Sequence, residues 1–150
     1  SRAVGFNGMV GGQALDLAAE HQSLAADGLQ MIHRLKTGAL IAASAEAGAI
    51  CAGASTAERE ALVQFATAIG LAFQVTDDVL DVTGDSASLG KTAGKDVKAE
   101  KSTYVSALGL AGAQQEADRL LDTGLRALDI FGDRADPLRA LAYQMVHRDT

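Results

Sequence analysis

At 150 residues the chain is long enough for one domain with a sizeable core, and 48% of its residues are apolar, which favours a folded state over disorder. Thirteen Lys and Arg against 19 Asp and Glu give a formal charge of −6. This excludes a general nucleic-acid binder, because phosphate neutralisation needs clustered cations to drive counterion release.

Ala and Leu carry the apolar content, and one Pro with 4% aromatics completes the profile of an all-α protein. Cys51 is alone in the sequence, so a disulfide framework and a cysteine metal site are both excluded. His21, His33 and His147 show no metal-ligand spacing. No basic-apolar signal segment opens the chain. The best apolar run, "GALIAASAEAGAICAG", is short and interrupted by Glu46, so a cytoplasmic protein without stable membrane insertion is expected.

In chain order, residues from about Val4 to Glu20 read as one helix, and "DGLQMIHRLKTGALIAASAEAGAI" from Asp27 as a longer one. Ser55 and Glu58 in "STAE" form a capping-box pattern that opens a third. Its apolar rhythm runs to Val82, with Gly84 as the expected stop. "GDSASLGKTAGKDVKAEK" lacks periodicity and reads as a loop. Ser102 begins a short helix, "QQEADRLLDTGLRALDIF" makes another, and Asp136 with Pro137 is expected to cap and open the last. No strand pattern, repeat or linker intervenes, so residues 1–150 form one unit.

The third helix carries the chemistry. Gln74, Asp77, Asp78, Asp81 and Asp85 follow the three, four and seven spacing of one helix face, whereas Leu71, Phe73, Val75, Val79, Leu80 and Val82 cover the other directions. A narrow polar stripe on an otherwise apolar helix implies burial, with the acids lining an internal cavity. Like charges one turn apart repel, and the helix dipole disfavours negative charge at a C-terminal end, so the stripe needs cations. Carboxylate oxygens without His or Cys suit a hard ion, and Mg2+ shared with substrate phosphates fits best. The competing reading is a solvated acidic helix end; calcium is disfavoured because no "DxDxDG" loop follows.

Lys91, Lys95, Lys98 and Lys101 crowd the next loop, and Lys36 with Thr37 interrupts the second helix. If metal and ammonium groups meet at one mouth, the common ligand is a polyphosphate; otherwise these lysines are solvated. "GDSASLGKT" imitates a phosphate-binding loop, but five residues separate Gly84 from Gly90 and the segment follows a helix rather than a strand. "GGQALDLAAE" places Gln13 and Asp16 on one face beside Gly11 and Gly12, a pattern of close helix packing or of close approach by a ligand.

Taken in order, "GGQALDL", "HRLKTGAL", "GLAFQVTDDVLDVTGD", "LGKTAGKD" and "EKSTY" resemble the C-terminal half of bacterial farnesyl diphosphate synthases and related short-chain trans-prenyltransferases, the polyprenyl synthetase family. The resemblance spans almost the whole chain. "FQVTDDVLDVTGD" followed by "LGKTAGKD" is its most specific part.

The resemblance implies an all-helical isoprenoid-synthase bundle, of which residues 1–150 are the C-terminal part, and a homodimer. An allylic diphosphate would ionise in its central cavity and be captured by isopentenyl diphosphate, with farnesyl diphosphate as the expected product. Asp77, Asp78 and Asp81 match the second aspartate-rich motif, which binds Mg2+ bridging to the allylic diphosphate. Lys36, Lys91 and Lys101 match diphosphate-binding lysines. Lys36, Thr37 and Gln74 match positions that face the reacting carbon. The first aspartate-rich motif and the isopentenyl diphosphate site have no counterpart in these residues, so the chain is expected to be a piece of a longer protein, inactive alone. A non-catalytic partner subunit of a heteromeric prenyltransferase is the alternative, although the retained "DDVLD" argues for the enzyme.

Overall fold

The computed structural model describes residues 2–88 and 102–148. All regular structure among them is helical: α1 (Met9–Ala18), α2 (Ala26–His33), α3 (Ala39–Cys51), α4 (Thr56–Ser88), α5 (Tyr104–Ala127) and α6 (Asp136–Val146). A π-helical turn, Arg34–Gly38, joins α2 to α3 without a break, and a 3-10 segment, Asp129–Ala135, leads into α6. The expected all-α class is therefore the observed one.

Helix α4 is the axis of the fold. Its 33 residues extend about 50 Å at the α-helical rise. The expected capping box opens it: Ser55 N–H donates to Glu58 Oε2 at 2.9 Å, and Glu58 N–H donates to Ser55 Oγ at 3.3 Å. The Ser55 N–H and the Ser55 hydroxyl, which also donates to Glu58 Oε2 at 2.8 Å, favour the ionised form and hold the Glu58 carboxyl below the usual carboxylate range.

One side of α4, with Phe65, Ile69, Ala72, Val75 and Val79, is buried in the main apolar cluster with Ala113, Ala117, Leu120 and Leu121 of α5. Another side meets α3 and the π turn. A Cβ on Gly70 would lie 3.3 Å from Gly38 Cα and 3.2 Å from Ile41 Cδ1. A helix packed on two sides can accept the crowding of its acids, because the apolar contacts outweigh a few tenths of a kcal/mol per repelling pair.

Several boundaries differ from the sequence reading. The first helix starts at Met9 rather than near Val4, since Arg2–Gly8 form turns and the Gly8 backbone turns away from helical geometry at φ −150°. Helix α4 passes Gly84 and continues to Ser88; an internal glycine costs only about 1 kcal/mol, which a long packed helix tolerates. Thr103, not Ser102, caps α5, accepting from Ser106 N–H at 3.1 Å. The two helices expected after the loop are one element broken at Gly109, whose φ of 74° and ψ of 163° suit glycine alone. Asp136 is the first residue of α6 rather than its cap, and its Oδ1 accepts from Arg139 Nη1 at 2.7 Å.

Candidate active site at the aspartate stripe

The stripe lies where α4 faces the π turn. Gly70 touches Gly38; Gln74 lies one turn further along that face, and Asp77 and Asp78 two turns. Lys36, Thr37, Gln74, Asp77 and Asp78 are thereby brought to one side of α4 by a single helix–helix contact. A π turn widens a helix locally and redirects its carbonyls, and such turns are frequent at functional sites. Here it contains Lys36 and Thr37.

Asp78 is the more enclosed acid, its side chain 14% exposed against 41% for Asp77. Its Oδ2 accepts the backbone N–H of Tyr104 at 2.7 Å, at the first residue of α5, and lies 3.9 Å from His33 Nε2. The His33 and Tyr104 rings stack at 5.7 Å. Burial pushes the Tyr104 hydroxyl up to about 12, with Glu116, Asp78 and Asp27 adding negative field in the same direction. Asp77 accepts from Gln74 Nε2 at 3.1 Å through Oδ2, and its Oδ1 pairs with Arg148. Asp81 is exposed one turn beyond.

Lys36 Nζ donates to Asp16 Oδ2 at 2.7 Å, with Asp16 nearly enclosed. Close approach makes this possible: a Cβ on Gly12 would fall 2.2 Å from the Lys36 backbone nitrogen, so α1 can cross the π turn only at glycine. The glycines beside Asp16 therefore report helix packing. Lys91 and Lys101, with Lys95 and Lys98, lie outside the described residues.

The donor set suits the ion expected from the sequence. Asp77 and Asp78 present carboxylate oxygens and no soft ligand, a partial shell for a hard divalent cation whose remaining positions go to water and phosphate. Among the described residues, no three His, Cys, Asp or Glu side chains gather into a complete metal site. A groove of about 550 Å³ between α4, α5 and α6 is lined by Thr76, Leu80, Thr83, Asp118 and Arg148 among others, and adjoins the acid stripe through the Arg148–Asp77 pair.

The profile described as polyprenyl synthetase matches residues 4–129. The chain belongs to the polyprenyl synthetase family. It is 47% identical over 131 residues to a farnesyl diphosphate synthase of Haemophilus influenzae, covering 86% of this chain and 44% of that protein. It is 44% identical over 152 residues to the large subunit 1 of a chloroplastic heterodimeric geranylgeranyl pyrophosphate synthase of Arabidopsis thaliana, covering 99% and 41%. Among solved structures, it superposes on an FPP/GFPP synthase from Zymomonas mobilis with a TM-score of 0.82 at 38% identity, covering 97% of this chain and 48% of that one. A Helicobacter pylori geranyltransferase complexed with magnesium and isoprenyl diphosphate gives a TM-score of 0.74 at 35% identity, covering 97% and 48%. The chain thus spans about half the length of the relatives it matches, and its fold is that of isoprenyl diphosphate synthases.

Sequence reasoning left three neighbours of the aspartate stripe aside. His33 was discounted for want of metal-ligand spacing, yet it lies beside Asp78 through tertiary packing. Arg148 falls in a C-terminal stretch, "VHRDT", with no motif of its own. Tyr104 reaches Asp78 through a backbone N–H, which no side-chain pattern reveals; its place in "EKSTY" was the available signal.

Proposed function

We propose that the protein containing this chain condenses an allylic diphosphate with isopentenyl diphosphate, giving a prenyl diphosphate five carbons longer, and that farnesyl diphosphate is its product. The observation that carries the reading is the packing of the Lys36–Thr37 π turn one to two turns from Gln74, Asp77 and Asp78 on one face of α4. The farnesyl diphosphate synthase relative supports the product, and the relationship to a geranylgeranyl pyrophosphate synthase makes chain length the finer question.

Asp77, Asp78 and Asp81 would hold Mg2+, as the oxygen-only donor set favours and as magnesium in the geranyltransferase complex supports. When bound, that ion supplies Lewis-acid neutralisation of the departing diphosphate. The chain's own residues supply position and field. Gln74 donates its Nε2 to Asp77, which turns its carbonyl Oε1, the negative end of the amide dipole, away from the acid and toward developing positive charge on the allylic carbon. The Lys36 carbonyl and Thr37 hydroxyl act in the same sense. Asp16 fixes the Lys36 ammonium, which shares itself between that carboxylate and the diphosphate. Lys91 and Lys101, outside the described residues, would hold the diphosphate. Tyr104 and His33 orient Asp78. The departing diphosphate accepts the proton released after coupling, so no histidine base is required.

The large apolar side chains exposed from the N-terminal turn to α3, including Phe6 at 84%, Leu17, Met31 and Ile50, are covered in the whole protein by the remainder of its domain and by a second copy in a homodimer.

Incubation of the full-length protein with dimethylallyl and isopentenyl diphosphates and Mg2+, read by mass spectrometry, tests this reading. The expected products are the ten- and fifteen-carbon diphosphates, and a polypeptide of residues 1–150 alone is expected to form neither. Unconsumed isopentenyl diphosphate with the full-length protein would refute it.

A further inference from the structure

Arg148 lies two residues beyond the end of α6, where its side chain meets two residues of α4. Its Nη2 pairs with Asp77 Oδ1, and its guanidinium carbon stands 4.2 Å over the Phe73 ring, one turn earlier on α4. Three quarters of the side chain is shielded from solvent, which strengthens both interactions relative to an exposed pair. Together with the Gln74 amide on Oδ2, Arg148 occupies both oxygens of Asp77.

The seat can be vacated cheaply. Helix α6 is anchored upstream of it, by buried Ala142 and Val146 and by Thr76 Oγ1 donating to the Val146 carbonyl at 3.4 Å. Arg148 can therefore leave Asp77 without unpacking the helix. Its Nε is buried without a hydrogen-bond partner among the described residues, so the guanidinium gives up an incompletely satisfied position when it moves.

We propose that Arg148 is a resident counter-cation of Asp77 that competes with the divalent metal, so that metal binding and the seating of the Arg148 guanidinium on Asp77 exclude one another. This rests on the reading of Asp77 as a metal ligand. A carboxylate with a like charge next to it in sequence, Asp78, and another one turn away, Asp81, gains from a nearby cation; Arg148 supplies one. The metal meets a competent site only in the fraction of molecules whose Arg148 has withdrawn, and its apparent affinity falls by that fraction.

Mn2+ binding to the full-length protein without substrate, followed by electron paramagnetic resonance of the free ion, tests the proposal. Arg148→Gln should tighten Mn2+ binding by about three- to tenfold, and Arg148→Lys, which keeps the charge but loses the planar fork, by less. In an Asp77→Asn background, Arg148→Gln should give no gain. Wild-type binding that Arg148→Gln leaves unchanged or weakens would overturn the competition while sparing the metal site, and Arg148→Lys decides in the same way if the glutamine variant is poorly folded. Absence of Mn2+ binding in every variant would instead overturn the metal site itself, and the competition with it.

Discussion

The backbone N–H of Tyr104 donates to Asp78 Oδ2 at 2.7 Å, tying the first residue of α5 to an acid 26 positions earlier. This bond fixes one Asp78 oxygen. Asp78→Asn retains an acceptor for the amide but removes the charge, so it should lower kcat by about a hundredfold or more with little change in Tm. Asp78→Ala should lose the same activity and about 1 kcal/mol of stability besides. Turnover near the wild-type value in the asparagine variant, at ordinary Mg2+ concentration, would remove Asp78 from the metal site.

Lys91→Gln and Lys101→Gln should each weaken the allylic diphosphate by more than the 0 to about 1 kcal/mol of an exposed charge, seen as a rise in KM or a slowed ionisation. Lys36→Gln should also lower Tm, because it strands the nearly enclosed Asp16 carboxylate. Steady-state kinetics with melting curves distinguish these outcomes. Unaltered kinetics in all three variants would return the lysines to solvent.

Gly12 sets how closely α1 crosses the π turn. A methyl group there would fall 2.2 Å from the Lys36 backbone nitrogen, and since backbone cannot rotate aside, the helices must separate. Gly12→Ala should cost about 1 to 3 kcal/mol and lower kcat through displacement of Thr37. Denaturant unfolding and turnover measured on the same preparation check both parts, and wild-type values in both would contradict the contact.

Tyr104 gives a pH signature. Its hydroxyl titrates near 10 in the unfolded chain and is pushed up to about 12 in the fold, so the folded state holds its proton more tightly. The associated stability is fully present below pH 10 and is lost as pH rises from about 10 to 12. Tyr104→Phe should remove that component, flattening the decline in unfolding free energy over this window by roughly 2 to 3 kcal/mol. Identical slopes for the two proteins would show that burial of the hydroxyl is not coupled to folding.

Periodicity made the helical class, the capping box at Ser55 and the one-sided aspartate stripe legible in the sequence, because each depends on residues within a few turns of one another. The location of Lys36 and Thr37 against that stripe was not legible from spacing. It depends on Gly38 meeting Gly70 and Gly12 meeting Lys36, contacts between distant segments that glycine permits without specifying. Element ends were least legible: Gly84 carries a stop signal that α4 passes, and Asp136 carries a cap signal although it is already the first residue of its helix. The Arg148–Asp77 pair joins positions 71 apart, and no local pattern marks it.

The central claim is that the α4 carboxylates hold the cation that holds the diphosphate. Calorimetric binding of a non-ionising thiolodiphosphate analogue of the allylic substrate to the full-length protein, with Mg2+ and again with EDTA, measures this without turnover. The account predicts affinity at least about a hundredfold higher with Mg2+, and loss of that difference in Asp77→Asn and Asp78→Asn. Equal affinity in Mg2+ and EDTA, or an undiminished Mg2+ effect in both variants, would contradict it.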